Sequence, residues 1–155
     1  MTEYRAPSLK DLPQIMALAK EMHAETSFNT LTFDESKAAL EIATCIMNPT
    51  NFVCVAEKDG QIVGIIGVYM GSPFFSSDPV VYDHIWYVSK SVRGSPVGPR
   101  LLKIVGEWAE MNGAKSIFLT LGSDISSDRV GKLAERFGYR QLGGYYRKDL
   151  GDVQV

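Results

Sequence analysis

Two places in this 155-residue chain hold residue types that can do chemistry. The first is the adjacent pair Asp83-His84 inside the apolar run "VVYDHIWYVSK". A carboxylate and an imidazole are the side chains most often used to move a proton near neutral pH. The second is "SVRGSPVGPRLL", where Arg93, Gly94 and Gly98 stand at the entrance of a helical pattern that starts near Val97. The first N–H groups of a helix lack internal partners, and the aligned peptide dipoles favour an anion there. Gly94 and Gly98 leave room for a ligand against the main chain and Arg93 adds a charge, so a diphosphate would suit this loop. Ordinary punctuation accounts for it too: proline is well tolerated in the first turn of a helix, and glycine serves the turn before it. Neither G-x-x-x-x-G-K-[ST] nor G-x-G-x-x-G is present.

The elements that must position these residues follow from periodicity. A short strand at Glu3–Arg5 precedes a first helix, with Ser8 and Asp11 in the capping-box relation and Leu12, Ile15, Ala19 and Met22 at helical spacing. A second helix runs from the cap Asp34 to the stop at Pro49. In "NFVCVAEKDGQIVGIIGVYMG" two β-branched runs flank Lys58-Asp59-Gly60-Gln61, a hairpin signal that makes the pair antiparallel. "VVYDHIWYVSK" reads as a central strand. A third helix follows, with Leu101, Val105, Trp108 and Met111 or Asn112 on one face and a stop at Asn112-Gly113. "KSIFLTL" is then a strand parallel to the one before that helix, "SSDRVGKLAERFG" a fourth helix, and "YRQLGGYYRKDL" one or two closing strands.

Length and a hydrophobic content of 45% suit one domain over residues 1–155. A net charge of −2 gives no overall basic field for a polyanion, so nucleic acid is not a default partner. No stretch is apolar and long enough to cross a bilayer, and Cys45 and Cys54 lack metal-ligand spacing, which predicts buried reduced thiols and a cytoplasmic protein.

The whole element order, with "WYVSKSVRGSPVGPRLLKIVGEWAEMNGAKSIFLTL" and the later "LAERFGY", resembles the GNAT superfamily of N-acetyltransferases over nearly the entire chain. That superfamily carries a [QR]-x-x-G-x-[GA] loop, read here as Arg93-Gly94-Ser95-Pro96-Val97-Gly98, with Pro96 in place of the middle glycine. The proline removes one N–H donor and stiffens the loop. Within the superfamily the chain is most similar to a phage and bacterial type, through Asp83, Trp86-Tyr87-Val88, Arg93-Gly94-Ser95 and Tyr146-Arg147-Lys148.

The resemblance implies an α/β (α+β) fold in the order β-α-α-β-β-β-α-β-α-β(-β), with a mixed central sheet of six to seven strands and about four helices. It implies acetyl-coenzyme A as cosubstrate and no metal. Main-chain groups of Trp86, Tyr87 and Val88 would hold the pantetheine arm; Arg93, Gly94, Ser95, Val97 and Gly98 the diphosphate; and Ser126 or Ser127 stands where a coenzyme-binding asparagine is common. The base that takes the proton of the amine acceptor would be Asp83 or His84. Adjacent strand residues face opposite sides, so at most one faces the cleft unless a bulge intervenes. Asp83 is the first choice, because a carboxylate is costly to bury without a partner or a purpose and it matches the acidic position of the similar type; His84 reads more readily as a hydrogen-bonded core imidazole. Ala134 occupies the place of the superfamily's usual acidic tyrosine, which leaves Tyr145, Tyr146 or water to protonate the thiolate, the two tyrosines reading also as sheet-packing aromatics. Phe28, Phe74, Phe75, Tyr145 and Tyr146 are candidate linings for the acceptor, a small-molecule or protein amine. A domain this small leaves room for a homodimer. Pro96 and Ala134 keep a second expectation open, a catalytically weak module of this fold that binds coenzyme A or a protein partner.

Overall fold

A computed structural model describes residues 1–121 and 127–151. Five strands form one sheet in sequential order: β1 (Thr2–Arg5), β2 (Asn51–Lys58), β3 (Gln61–Gly71), β4 (Val80–Val88) and β5 (Ser116–Phe118). The first three junctions are antiparallel and β4–β5 is parallel, as the strand–helix–strand reading requires. The β2–β3 turn falls where expected, with Asp59 at φ 52° and Gly60 at φ 77° supplying the left-handed conformation a two-residue hairpin needs.

Helices cover both faces. α1 (Leu12–Glu25) and α2 (Glu35–Met47) lie on one side, where Ile15 and Leu18 pack with Val55, Ile62, Ile65 and Tyr87. The capping box of Ser8 and Asp11 is formed, in a 3-10 turn that leads into α1, and the Asp34 side chain caps α2. α3 (Val97–Met111) lies on the other side, where Leu101, Leu102 and Val105 are buried with Ile66, Val68 and Val81. Gly64 permits this approach: a Cβ there would lie 2.9 Å from Val97 Cγ1. The inner face of α3 ends on Ala109, and Met111 points to solvent. α4 (Ser127–Arg136) follows on the α3 side, ending at Gly138 with φ 87°. No helix among the described residues is long and apolar enough to cross a membrane.

Against the expected six to seven strands, the described residues form five. "YRQLGGYYRKDL" forms no strand over residues 139–150. The edge strand β5 pairs over only three residues and offers little ladder to extend, and two consecutive glycines weaken any strand at Gly143-Gly144. Arg147 instead pins the segment to the 3-10 turn Ser27–Thr30, donating to the Ser27 carbonyl and to Thr30 Oγ1.

Candidate functional site

The site is built where β4 departs from regular geometry. Gly67 of β3 pairs with Ile85 while Val68 pairs with Asp83, so His84 is an extra residue, a β-bulge. Gly67 allows it, since a Cβ there would lie 3.3 Å from Ile85 Cγ2. The bulge separates the two titratable neighbours. His84 stacks on Tyr69 at 4.5 Å between ring centroids and is exposed, on the face that carries α1 and α2. Tyr69 packs in turn on Tyr82 at 5.4 Å, and Tyr82 on Phe118 at 5.5 Å, an aromatic floor across three strands. Partial desolvation of the ring face against Tyr69 pulls the His84 imidazole below its ordinary value, opposed by the charges of Asp83 and of Glu41 on α2, so it is neutral and able to accept a proton at pH 7.

Asp83 points to the other side of the strand, toward the α3 face, and closes the point where β4 and β5 diverge. The strands pair only from Val80–Ser116 to Tyr82–Phe118; beyond that, both Asp83 carboxylate oxygens accept the Thr120 main-chain N–H at 3.1 Å. The side chain thus substitutes for a missing rung of the ladder. Burial pushes its carboxyl above the ordinary carboxylate range against the pull of the Thr120 hydrogen bonds. The nearby Tyr139 phenol is pushed up to about 12 by burial and by the Asp83 charge, and its hydroxyl is buried without a partner among the described residues.

Beyond the divergence lies a cleft of about 460 Å³, walled by β4 at Trp86–Val88, by the turn Arg93–Gly98, by Thr120 and Leu121, and by α4. A bare main chain is needed at Gly94, whose φ is 85°. At Gly98 it is not needed for the fold: a Cβ would meet Val88 Cγ2 at 3.6 Å and Trp86 at 4.0 Å, ordinary contacts. The missing side chain at Gly98 is space given to the cleft. The N–H groups of Gly94 and Gly98 have no partner among the described residues, and the buried Trp86 indole N–H has none either. Arg129, Lys132 and Arg136 of α4 line the opposite wall, and no carboxylate is among the described lining residues. An anionic ligand with hydrogen-bond acceptors along its length fits such a cleft.

Arg93 has a use inside the chain. Its Nε donates to the Val88 carbonyl at 3.2 Å and its guanidinium binds both carboxylate oxygens of Glu25, one at 3.0 Å, while lying 5.5 Å from the Tyr87 ring centroid. Glu25 also accepts from the Tyr87 hydroxyl and lies 3.3 Å from Lys90 Nζ. One turn earlier Glu21 accepts from Ser89 Oγ and from the Lys90 N–H, both at 2.9 Å. The loop at the end of β4 is therefore strapped to α1. Burial works to raise the Glu25 carboxyl, and the bonds from Arg93, Tyr87 and Lys90 outweigh it, holding the group at about 2. The Tyr87 phenol is raised by burial and by its bond to Glu25.

The remaining expected residues are dispersed. Ser95 and Val97 sit at the start of α3, where Ser95 Oγ accepts the Val97 N–H at 3.4 Å. Phe28 lies on the turn that Arg147 clamps, so it shares a side with the segment bearing Tyr145 and Tyr146, which are 70% and 94% exposed and line no part of the cleft. Phe74 and Phe75 pack edge-to-face on each other at 5.3 Å. Ser126 lies outside the described residues. Sequence analysis missed the cations of α4, although 129, 132 and 136 follow helical spacing, and it missed the carboxylates of α1 that hold the loop.

Comparison with known proteins agrees with this geometry. Residues 13–139 match the Acetyltransferase (GNAT) family. Over 101 residues the chain is 30% identical to the uncharacterized N-acetyltransferase YhfO of Bacillus subtilis (strain 168), a match that spans 63% of this chain and 64% of that protein. Among solved structures the fold is similar to the aminoglycoside acetyltransferase meta-AAC0020 from an uncultured soil metagenomic sample, in complex with sisomicin, at TM-score 0.71 and 17% identity over 97% of both chains. It is also similar to a ribosomal-protein-alanine N-acetyltransferase from Brucella melitensis biovar Abortus 2308, at TM-score 0.71 and 17% identity over 97% of this chain and 100% of that one.

Proposed function

The chain belongs to the acetyltransferase (GNAT) family, and on that premise we propose that it transfers an acetyl group from acetyl-coenzyme A to an amine, by direct attack within a ternary complex. The observation that carries the reading is the cleft itself: it opens where β4 and β5 part, has a bare main chain at Gly98, and is lined by cations with no carboxylate among its described residues. Bound there, acetyl-coenzyme A supplies an activated thioester. Main-chain groups of Trp86–Val88 and the Trp86 indole N–H would bind its amide-bearing arm, and the Gly94 and Gly98 N–H groups its phosphates.

The acceptor approaches from the opposite face of the sheet, over the aromatic floor of Tyr69, Tyr82 and Phe118. His84, neutral and exposed beside that floor, takes the proton of the attacking amine, directly or through water. Asp83 tethers β4 to the chain beyond β5 through Thr120, at the point where the strands part, and is a positioning residue for the cleft. As the new C–N bond forms and the C–S bond breaks, the departing thiolate takes its proton from water at the open end of the cleft, since Ala134 offers no phenol and Tyr145 and Tyr146 lie outside the lining. Phe28 and the 145–147 segment would border the acceptor, a small-molecule or protein amine.

Incubation with acetyl-coenzyme A and a panel of primary amines, small molecules and peptides alike, followed by mass spectrometry of the amines, tests the proposal. An acetylated amine is expected. Donor that binds while every amine stays unmodified would favour a catalytically weak binding module, the reading to which Pro96 and Ala134 lend support.

A further inference from the structure

We propose that the phosphate groups of the donor are held chiefly from α4, by Arg129, Lys132 and Arg136, with the loop Arg93–Gly98 in a minor role. The inference rests on the reading of the cleft as a coenzyme site and assigns the residues that give it affinity.

Three observations carry it. The loop is poor in donors: Pro96 and Pro99 have no N–H, and the Ser95 N–H is bonded to the Val92 carbonyl at 3.2 Å and the Val97 N–H to Ser95 Oγ at 3.4 Å. Gly94 and Gly98 are what remains. The cation of the loop is also engaged, since the Arg93 guanidinium is held by Glu25 and the Val88 carbonyl, and releasing it would leave a buried carboxylate with fewer partners. Across the cleft, by contrast, Arg129, Lys132 and Arg136 recur at spacings that place them on one side of α4, all three line the opening, and none makes an ion pair with a described residue. Asp128 and Glu135 lie on the same helix and line no part of the cleft.

The chemistry suits phosphate. Two guanidinium forks and one ammonium can meet a diphosphate and a further phosphomonoester along a helix face, where the arginines bind bidentately and the lysine acts as a mobile point charge. A clamp made of exposed side chains differs from one made of main-chain amides in its sensitivity to salt, because exposed charges are screened within a Debye length of about 8 Å at physiological ionic strength. Donor affinity should therefore fall steeply with salt.

The test is calorimetric titration of the native chain and of the triple variant Arg129→Gln/Lys132→Gln/Arg136→Gln with acetyl-coenzyme A and with adenosine 3′,5′-bisphosphate, each at low and high salt. Adenosine 3′,5′-bisphosphate carries phosphates without the thioester arm. The triple variant is expected to bind both at least about tenfold more weakly, with a flatter salt dependence. Single Gln substitutions at the same exposed positions carry the test if the triple variant unfolds, each weakening binding by a few-fold. Native and variant affinities within twofold of each other at both salt concentrations overturn the clamp and leave the acetyltransferase reading intact. Binding of the bisphosphate that the variant loses, without any binding of acetyl-coenzyme A, upholds an α4 phosphate site and overturns the acetyltransferase reading. No binding of either ligand by the folded native chain overturns both.

Discussion

The Glu25 carboxylate at the end of α1 accepts from the guanidinium of Arg93, the cation of the β4–α3 loop. This pair ties the turn that lines the cleft to the helix that leads into the α1–α2 loop. Its carboxyl is held at about 2 against an ordinary value of 4.5, and a depressed carboxylate contributes stability that is complete above the unfolded value and is lost as pH falls through the folded one. Glu25→Gln should therefore be less stable than the native chain at neutral pH, by about 2 kcal/mol for lost charge-assisted hydrogen bonds. The difference between the two should shrink as pH falls from 4.5 toward 2. Denaturant melts across that range check it, and a constant difference would contradict the role given to the pair.

The bulge puts the two titratable neighbours on opposite faces of the sheet, and the proposed roles differ accordingly. His84→Gln should lower kcat by roughly 10² while leaving the Kd for acetyl-coenzyme A unchanged, because the imidazole faces the acceptor side. Because the imidazole titrates below its ordinary 6.5, the acid limb of the native rate at saturating amine should lie below pH 6.5 and be absent in the variant.

Asp83→Ala should cost about 2 kcal/mol of stability and weaken donor binding, since it frees the Thr120 N–H that keeps the strands in place. Asp83→Asn retains an acceptor for that N–H and should keep most of both. A loss of kcat of roughly 10² in Asp83→Asn with donor binding intact, and none in His84→Gln, would make Asp83 the base.

The two glycines of the turn should respond in opposite ways. Gly94→Ala forces a side chain to φ 85° and should destabilise the chain by about 1 kcal/mol. Gly98→Ala meets only ordinary contacts and should leave stability unchanged or raise it by up to about 1 kcal/mol, while weakening acetyl-coenzyme A binding because its methyl group enters the cleft. Thermal melts paired with titrations separate the two effects.

Tyr145 and Tyr146 are exposed and away from the cleft lining. The double variant Tyr145→Phe/Tyr146→Phe should keep kcat within about twofold. A loss of the size expected for general acid catalysis, 10² or more, would place a phenol at the sulfur.

What could be read from the sequence was local. The Asp59-Gly60 hairpin, the Ser8 and Asp34 caps and the helix stop at Gly113 each depend on a few neighbouring residues, and each stands where periodicity placed it. The bulge depends on Gly67 in the adjacent strand, so Asp83 and His84 could not be assigned to faces by alternation within β4 alone. The fate of Arg93 depends on Glu25, 68 residues away, a pairing that no local pattern encodes. The closing strand failed for a related reason. Tyr and Arg residues there suit a strand, yet a strand needs a free ladder, and β5 offers three residues. The row of cations on α4 was legible by helical spacing, and it gained meaning only when α3 and α4 were seen to share a cleft.

The central claim is transfer by direct attack in a ternary complex, and the rate of thiol release from acetyl-coenzyme A, measured against the concentrations of both donor and an accepted amine, tests it most directly. The account predicts release that requires the amine, saturates in both substrates and gives intersecting double-reciprocal lines. Release that is independent of amine, or parallel lines that report an acetylated enzyme, would contradict it.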